Sequence, residues 1–595
     1  MLHVAEVTGV RSRPVRVGGS YARGMTRSPI FDLADRTVEQ AAALDPCSAT
    51  GDGISGHDHL LTDFSPDGHH ARADLLRHTL TELGSLDPTD DADRRARDFI
   101  TERFTSNLAL HDSGEWMLAL RAIAAPTSTI RATFDLMPRE GDEAWENIAA
   151  RLHAVPAALD GVLVTYERGR TTGHVAARRQ ASAAAAQCAT WAHDRWFDSL
   201  TDAARADSTL PRTLVDRVAV GAEAAIDGYA AMAQYLTDVY APAAAHHDAC
   251  GPERYHANVR EMLGADLDPQ EMYDWAWTDF DELRREMSAT CERIVPGAGF
   301  AEVRHLLDHD PGRAVHGEDQ YQQWLQTVTD HAMARSLDSF EIPEQMRRCG
   351  AEIAPPGSAA APYYSPPSED FSRPGCTWYP TLGRTQFPMW GDVTTCYHES
   401  VPGHHLQLGY ARTRADSLSR IQRNSFIPGH GEGWALYAER LADEFGWFEN
   451  PDHRLGFLCG QMLRTVRVII DIGMHLGYRI PQGTTLEDGS PFHAGEVWTP
   501  DLAYEFAASE TGQGHVFLTS EIDRYLGWPA QAISYKIGER EWLRARADTR
   551  ARLGDAFDLR SFHTFALGLG PVGLAQLRTE LAAFGTSGTS GTSER

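Results

Sequence analysis

Three imidazoles and a carboxylate fall within eight residues in the stretch Tyr397-His398-Glu399-Ser400-Val401-Pro402-Gly403-His404-His405-Leu406-Gln407. Imidazole nitrogens and carboxylates are zinc ligands, and a Glu beside a ligating His is the usual base of metal-assisted hydrolysis. In the helical form of that motif the second His stands four residues after the first; here Pro402 holds that place. On a regular helix His398 and His404 are separated by about 600° of turn and about 9 Å of rise. Two nitrogens that must each lie about 2.0–2.1 Å from one metal cannot span that. Pro402 removes the helical bond to the His398 carbonyl, and Gly403 admits unusual dihedrals. The expectation is a bulged turn that absorbs two residues and returns His404 beside His398, with His405 as the rival second ligand. A helix cap carrying solvated histidines is the bland alternative.

A third ligand is offered by His430-Gly431-Glu432-Gly433-Trp434-Ala435-Leu436-Tyr437-Ala438-Glu439, which reads as a helix start. Glu432 lies 28 residues past His404. Two His and one Glu leave a coordination position open for water, the form of a catalytic zinc site. The same set suits non-haem Fe(II), and manganese is a further candidate. A first-turn carboxylate facing the helix dipole is the alternative for Glu432, though it does not account for the flanking glycines.

Two more polar groups stand out. Arg464, Arg467, Asp471 and His475 follow at steps of three, four and four within an otherwise apolar helix, so they share one face. That row is either a solvated salt-bridge face or a set of groups that orient metal ligands. Further on come His515, Glu521, Asp523, Arg524, Tyr525, Gln531, Ser534, Tyr535 and Lys536. Phenols and cations of this kind stabilise an oxyanion formed at a metal.

Taken together, His-Glu-x-x-Pro-Gly-His-His-Leu-Gln, Glu-Gly-Trp-Ala-Leu-Tyr-Ala-Glu and Arg-Tyr-x-x-x-Pro-x-Gln-Ala-x-Ser-Tyr-Lys resemble the bacterial family catalogued as domain of unknown function 885. The resemblance runs from about Phe31 to Leu581. That family is distantly similar to the helical zinc peptidases of the angiotensin-converting-enzyme and oligopeptidase type. Gly403-His404 matches their Gly-His, with two residues inserted after Glu399. The resemblance implies a mainly α, deep-clefted metallopeptidase-like fold and hydrolysis of a small peptide or amide. It implies His398, His404 and Glu432 on zinc, with Glu399 as general base. Tyr525 would stabilise the tetrahedral intermediate, with Arg524 beside it and His515 ten residues before it. An amide hydrolase acting on a small metabolite, and a binding protein with a degenerate metal site, stay open beside the peptidase reading.

The rest of the chain must position these groups. Residues 28–340 read as a helical scaffold half and 341–584 as the metal-site half of a single domain. Residues 1–27 read as a flexible arm and 585–595, with its Gly-Thr-Ser repeat, as a disordered tail. The Pro-, Tyr- and Trp-rich stretch 360–392 predicts a small antiparallel sheet whose edge could hold an extended substrate. Gly51–His59 reads as a surface loop, and His69-His70 and His246-His247 as solvated pairs. The net charge of -28 disfavours nucleic acid and anionic membrane as partners. No apolar run is read as approaching a membrane span. Eight scattered Cys without a Cys-x-x-Cys pair point to reduced thiols and a cytoplasmic protein.

Overall fold

The structure, a computed structural model, describes residues 28–121, 123–354, 361–367, 371 and 373–585. The expected arm at 1–27 lies outside the described residues, as does the expected tail beyond residue 585. The chain is mainly α, with two small sheets.

Two hydrophobic cores organise the helices. One is built by α1 (Asp142–Thr172) and α2 (Arg212–Tyr235) with their neighbours, around Trp145, Leu152, Tyr166, Val218 and Tyr229. By length and composition α1 could cross a membrane, contrary to the sequence expectation; half of its most apolar window is buried in this core. The second core gathers residues from Ile30 to Leu581 and surrounds the metal motif. Its axis is α3 (Pro451–Leu476), capped by Asn450 at its start and by a left-handed Gly477 at its end. This helix is apolar on nearly every face and is buried along most of its length, as a central helix must be.

The stretch 360–392 forms the expected antiparallel pair, and a strand from outside it, at 349–353, joins in parallel to make a mixed sheet. With β1 (Ala314–His316), β2 (Cys349–Ile353), β3 (Tyr363–Ser365), β4 (Gly375–Tyr379) and β5 (Gln386–Pro388), the three-stranded order is β2-β4-β3. β2 pairs with β4 in parallel, Gly350 opposite Cys376, while β3 pairs with β4 antiparallel, Tyr364 opposite Thr377. Parallel pairing needs a long return connection, and residues 354–374 supply it with β3 inside. A separate antiparallel pair joins β1 to β5.

Candidate metal centre

The metal motif folds as two helices rather than as one helix with a bulge. α4 (Asp392–Glu399) stops and α5 (His404–Arg412) starts afresh after Ser400–Gly403. The Gly403 N–H donates back to the Tyr397 carbonyl at 3.0 Å, and the His405 N–H donates to the Ser400 carbonyl at 3.0 Å. The Val401–Pro402 bond is cis. A Cβ on residue 403 would lie 2.5 Å from the Tyr397 oxygen and closer still to the His398 oxygen, so only glycine fits. From the far side the Trp434 indole donates to the Pro402 and Gly403 carbonyls at 2.9 and 3.2 Å. The turn is thus held at both faces, and it sets the His398 and His404 rings at right angles with centroids 4.9 Å apart.

Glu432 comes from α6 (Pro428–Glu444), which crosses α7 (Ser534–Leu553) at a glycine pair. A Cβ on residue 433 would lie 2.5 Å from the Gly538 Cα, and only two bare backbones can approach so closely. The glycine after Glu432 therefore serves helix crossing. The one before it, Gly431, leaves room for the Phe426 ring.

These elements bring His398, His404 and Glu432 into one group whose ligand atoms lie within 4.8 Å of one another and could hold a metal ion. The Nε2 atoms of both histidines are 3.4 Å from the same Glu432 oxygen. Ligands about 2.05 Å from a tetrahedral metal stand roughly 3.3 Å apart, so both histidine–carboxylate spacings match those of ligands on one metal ion. That Glu432 oxygen is also buried without a hydrogen-bond partner. Burial opposes charge on Glu432, but the two imidazoles overcome it and hold the carboxyl well below its ordinary range. Burial likewise pulls the His398 imidazole down, and the neighbouring Glu432 and Glu439 carboxylates reverse this, raising it to about 9.

His405 is excluded as the second ligand. Its Nδ1 accepts from the Tyr364 hydroxyl at 2.8 Å and its Nε2 donates to the Met346 carbonyl at 2.7 Å. The group that orients a ligand is Glu439, whose carboxylate lies 2.8 Å from His398 Nδ1 and accepts from the Thr394 hydroxyl at 2.5 Å. A carboxylate of this kind fixes which imidazole nitrogen faces the metal. Sequence reasoning did not assign Glu439 this role; the signal was its place two helical turns after Glu432, on the same face.

A cavity of about 550 Å³ lies over the group, lined by His398, Glu399, His404, Glu432, Arg464 and Tyr535 among others. Glu399 faces it beside both histidines, and burial lifts its carboxyl above the ordinary range. Gly51 and Asp52 also line it, so the start of the expected surface loop is part of the wall. A second cavity of about 640 Å³ shares Asp52, Asn424 and Ser425 with the first. His69, expected to be solvated, lines that second cavity, and burial pushes its imidazole down to about 3.

Tyr525, Arg524 and His515 do not line the metal cavity. They lie on α8 (His515–Gly527), which packs against α3. The Tyr525 hydroxyl is buried, donates to Glu521 at 2.7 Å and accepts from Arg467 Nε at 2.9 Å. Arg524 is spent on Glu521 and Gln531. His515 is exposed at the helix start, 2.8 Å from the Tyr504 hydroxyl. Of Tyr525 and Tyr535, the phenol on the cavity wall is Tyr535 of α7, its ring 6.5 Å from that of His398 and nearly parallel. The Arg464 row is neither a solvated face nor a direct support of the ligands. Arg464 and Arg467 line the cavity, whereas Asp471 accepts from Tyr255 and His475 bonds the Tyr525 carbonyl in the core.

Comparison with curated proteins returns no match. Solved structures that share the fold include the following two. One, described as "the putative lipoprotein from Colwellia psychrerythraea", is 19% identical with a TM-score of 0.80, over 93% of this chain and 98% of that one. The other, described as "a putative lipoprotein of unknown function from Shewanella oneidensis", is 17% identical with a TM-score of 0.70, over 93% and 100%. These descriptions overturn the cytoplasmic expectation. All eight cysteines are free thiols and seven are buried; buried single thiols do not identify a compartment. Residues 46–581 match the family described as bacterial protein of unknown function, DUF885. With its helical fold and its His-His-Glu group now in view, the chain belongs to that family.

Proposed function

We propose that this chain is a zinc-dependent hydrolase of a peptide or peptide-like amide bond. The observation that carries the reading is a buried His-His-Glu group of ligand spacing with a further carboxylate, Glu399, beside it on a cavity wall. His398, His404 and Glu432 would hold the ion and leave a position open. When bound, zinc makes water acidic near neutral pH and polarises a carbonyl. Glu399 takes the proton of the attacking water and passes it to the leaving nitrogen. Tyr535 donates its hydroxyl to the carbonyl oxygen as charge develops there. β3 supports an extended substrate: Tyr363 and Tyr364 line the cavity, and β3 is the last strand of its sheet.

The test pairs metal analysis with turnover. Purified protein should hold about one zinc, and Glu432→Ala should lose most of it, since one ligand of three is gone. Glu399→Gln should keep the zinc and lose cleavage of a short-peptide panel by about 10²–10⁴-fold. Unchanged zinc in Glu432→Ala, or full turnover in Glu399→Gln, refutes the proposal.

A further inference from the structure

The metal cavity is lined by four arginines, Arg412, Arg423, Arg464 and Arg467, in a chain whose net charge is -28. The carboxylates on the same wall are Asp52, Glu399 and Glu432. Two of these already belong to the metal group and the base. With Arg467 paired to Glu521, three arginines face three carboxylates, so a bound divalent ion leaves the wall positive.

Arg467 is compensated by Glu521 at 2.6 Å. Arg464 and Arg423 make no direct ion pair among the described residues, although the Arg464 charge acts through space on the Glu399 and Glu439 carboxyls. The Nε of each is buried without a hydrogen-bond partner. Arg464 spends one Nη on the Gly460 carbonyl at 3.2 Å, and its guanidinium lies 6.0 Å from the centre of the Tyr535 ring. Beside Arg423, both the oxygen and the nitrogen of the Asn424 amide are buried and unpaired, at the junction of the two cavities. Buried donors of this kind cost stability unless something pairs with them, and structures retain them where a ligand does so.

We infer that the substrate is anionic: it carries a carboxylate that Arg464 and Arg423 bind inside the metal cavity, with Asn424 pairing to an amide of the same molecule. A guanidinium presents donors in a planar fork that matches a carboxylate. A carboxamide side chain offers a donor and an acceptor, the complement of a peptide group. The inference rests on the hydrolase reading and narrows its substrate class. The carboxylate has two possible sources, a chain terminus or an acidic side chain, and both present the same group to the fork.

The probes are three acetylated peptides: Ala-Ala-Ala as the free acid, Ala-Ala-Ala as the carboxamide, and Ala-Glu-Ala as the carboxamide. Their binding to zinc-loaded Glu399→Gln protein is measured by calorimetry, and their cleavage by the native protein is followed in parallel. At least one carboxylate-bearing peptide should bind about 10- to 100-fold more tightly than the neutral one, the range of a charge-assisted hydrogen bond. Which one it is identifies the source. Adding Arg464→Gln should remove the preference while zinc content stays unchanged, and Arg464→Lys should restore part of it. Equal affinity for all three peptides overturns the inference, as does a preference that survives in both Arg464→Gln and Arg423→Gln, or no measurable binding of either acidic peptide at millimolar concentration. Failure of the underlying reading looks different: the protein takes up no zinc, or it binds the peptides and cleaves none.

Discussion

Adding one methyl group at Gly403 should disable the metal group without unfolding the chain. The Cβ of Gly403→Ala would lie 2.5 Å from the Tyr397 oxygen, where real Cβ contacts stay above 3.0 Å. Clearing that contact alone moves the turn by at least 0.5 Å, and the His398 oxygen demands more. Metal sites tolerate ligand distances within about 0.2 Å of ideal. His404 begins the helix immediately after residue 403, so the displacement passes directly to a ligand. Losing a group that merely orients a ligand costs about 10–100-fold in metal affinity; displacing the ligand itself should cost at least about 100-fold. The fold penalty should be about 1–3 kcal/mol, as for other overpacked sites. The assay is zinc titration against a competing chelator, with thermal unfolding followed by circular dichroism. Gly391→Ala, one residue before α4, is the control, because a Cβ there meets nothing within 4 Å. Native zinc affinity in Gly403→Ala would refute the argument that this turn sets the ligand geometry.

Three further outcomes are expected. Glu439→Gln keeps the side-chain shape but weakens the hold on His398 Nδ1; zinc affinity should fall about 10–100-fold by chelator competition, and an unchanged value would show that Glu439 does not orient His398. Tyr535→Phe should lower kcat by about 10²–10³-fold with little change in KM, whereas Tyr525→Phe, away from the cavity, should cost far less; the reverse order would return the oxyanion role to Tyr525. Burial raises the Asp471 carboxyl from 3.8 to about 7. The folded state therefore binds the proton more tightly, and stability should fall as pH rises from about 4 to about 7, by up to roughly 4 kcal/mol. Asp471→Asn should flatten that slope in denaturant unfolding; an identical slope in both proteins would remove Asp471 as its source.

The metal group was legible because its logic is local. A Pro-Gly break after His-Glu cannot continue a helix, and Glu432 sits between glycines that a solvated helix start has no use for. Choosing His404 over His405 was not local. It depends on the Tyr364 hydroxyl and the Met346 carbonyl, which lie more than forty residues away and occupy both His405 nitrogens. The choice between Tyr525 and Tyr535 failed for a related reason. Motif spacing places a phenol along the chain, but which phenol meets the cavity depends on the crossing of α6 and α7 at Gly433 and Gly538. The Arg464 row shows the same limit: helical periodicity identified the shared face, not what each turn of it faces. Composition marked 360–392 as sheet, yet nothing in it announces β1 or β2, or that β2 pairs with β4 in parallel.

The glycine crossing has a mechanical corollary. Two backbones in direct contact leave no side chains to compress or repack. The wall carrying Glu432 and the wall carrying Tyr535 therefore behave as one anvil, with a spacing that breathing of the protein cannot tune. On the hydrolase proposal, a wall better able to adjust is the one where Tyr363 and Tyr364 ride on a three-residue strand at the margin of a small sheet. Reaction geometry and substrate fit are thereby assigned to different pieces of the chain. Substitutions within 361–367 can reshape what the cavity accepts while the spacing between metal group and phenol stays as it is.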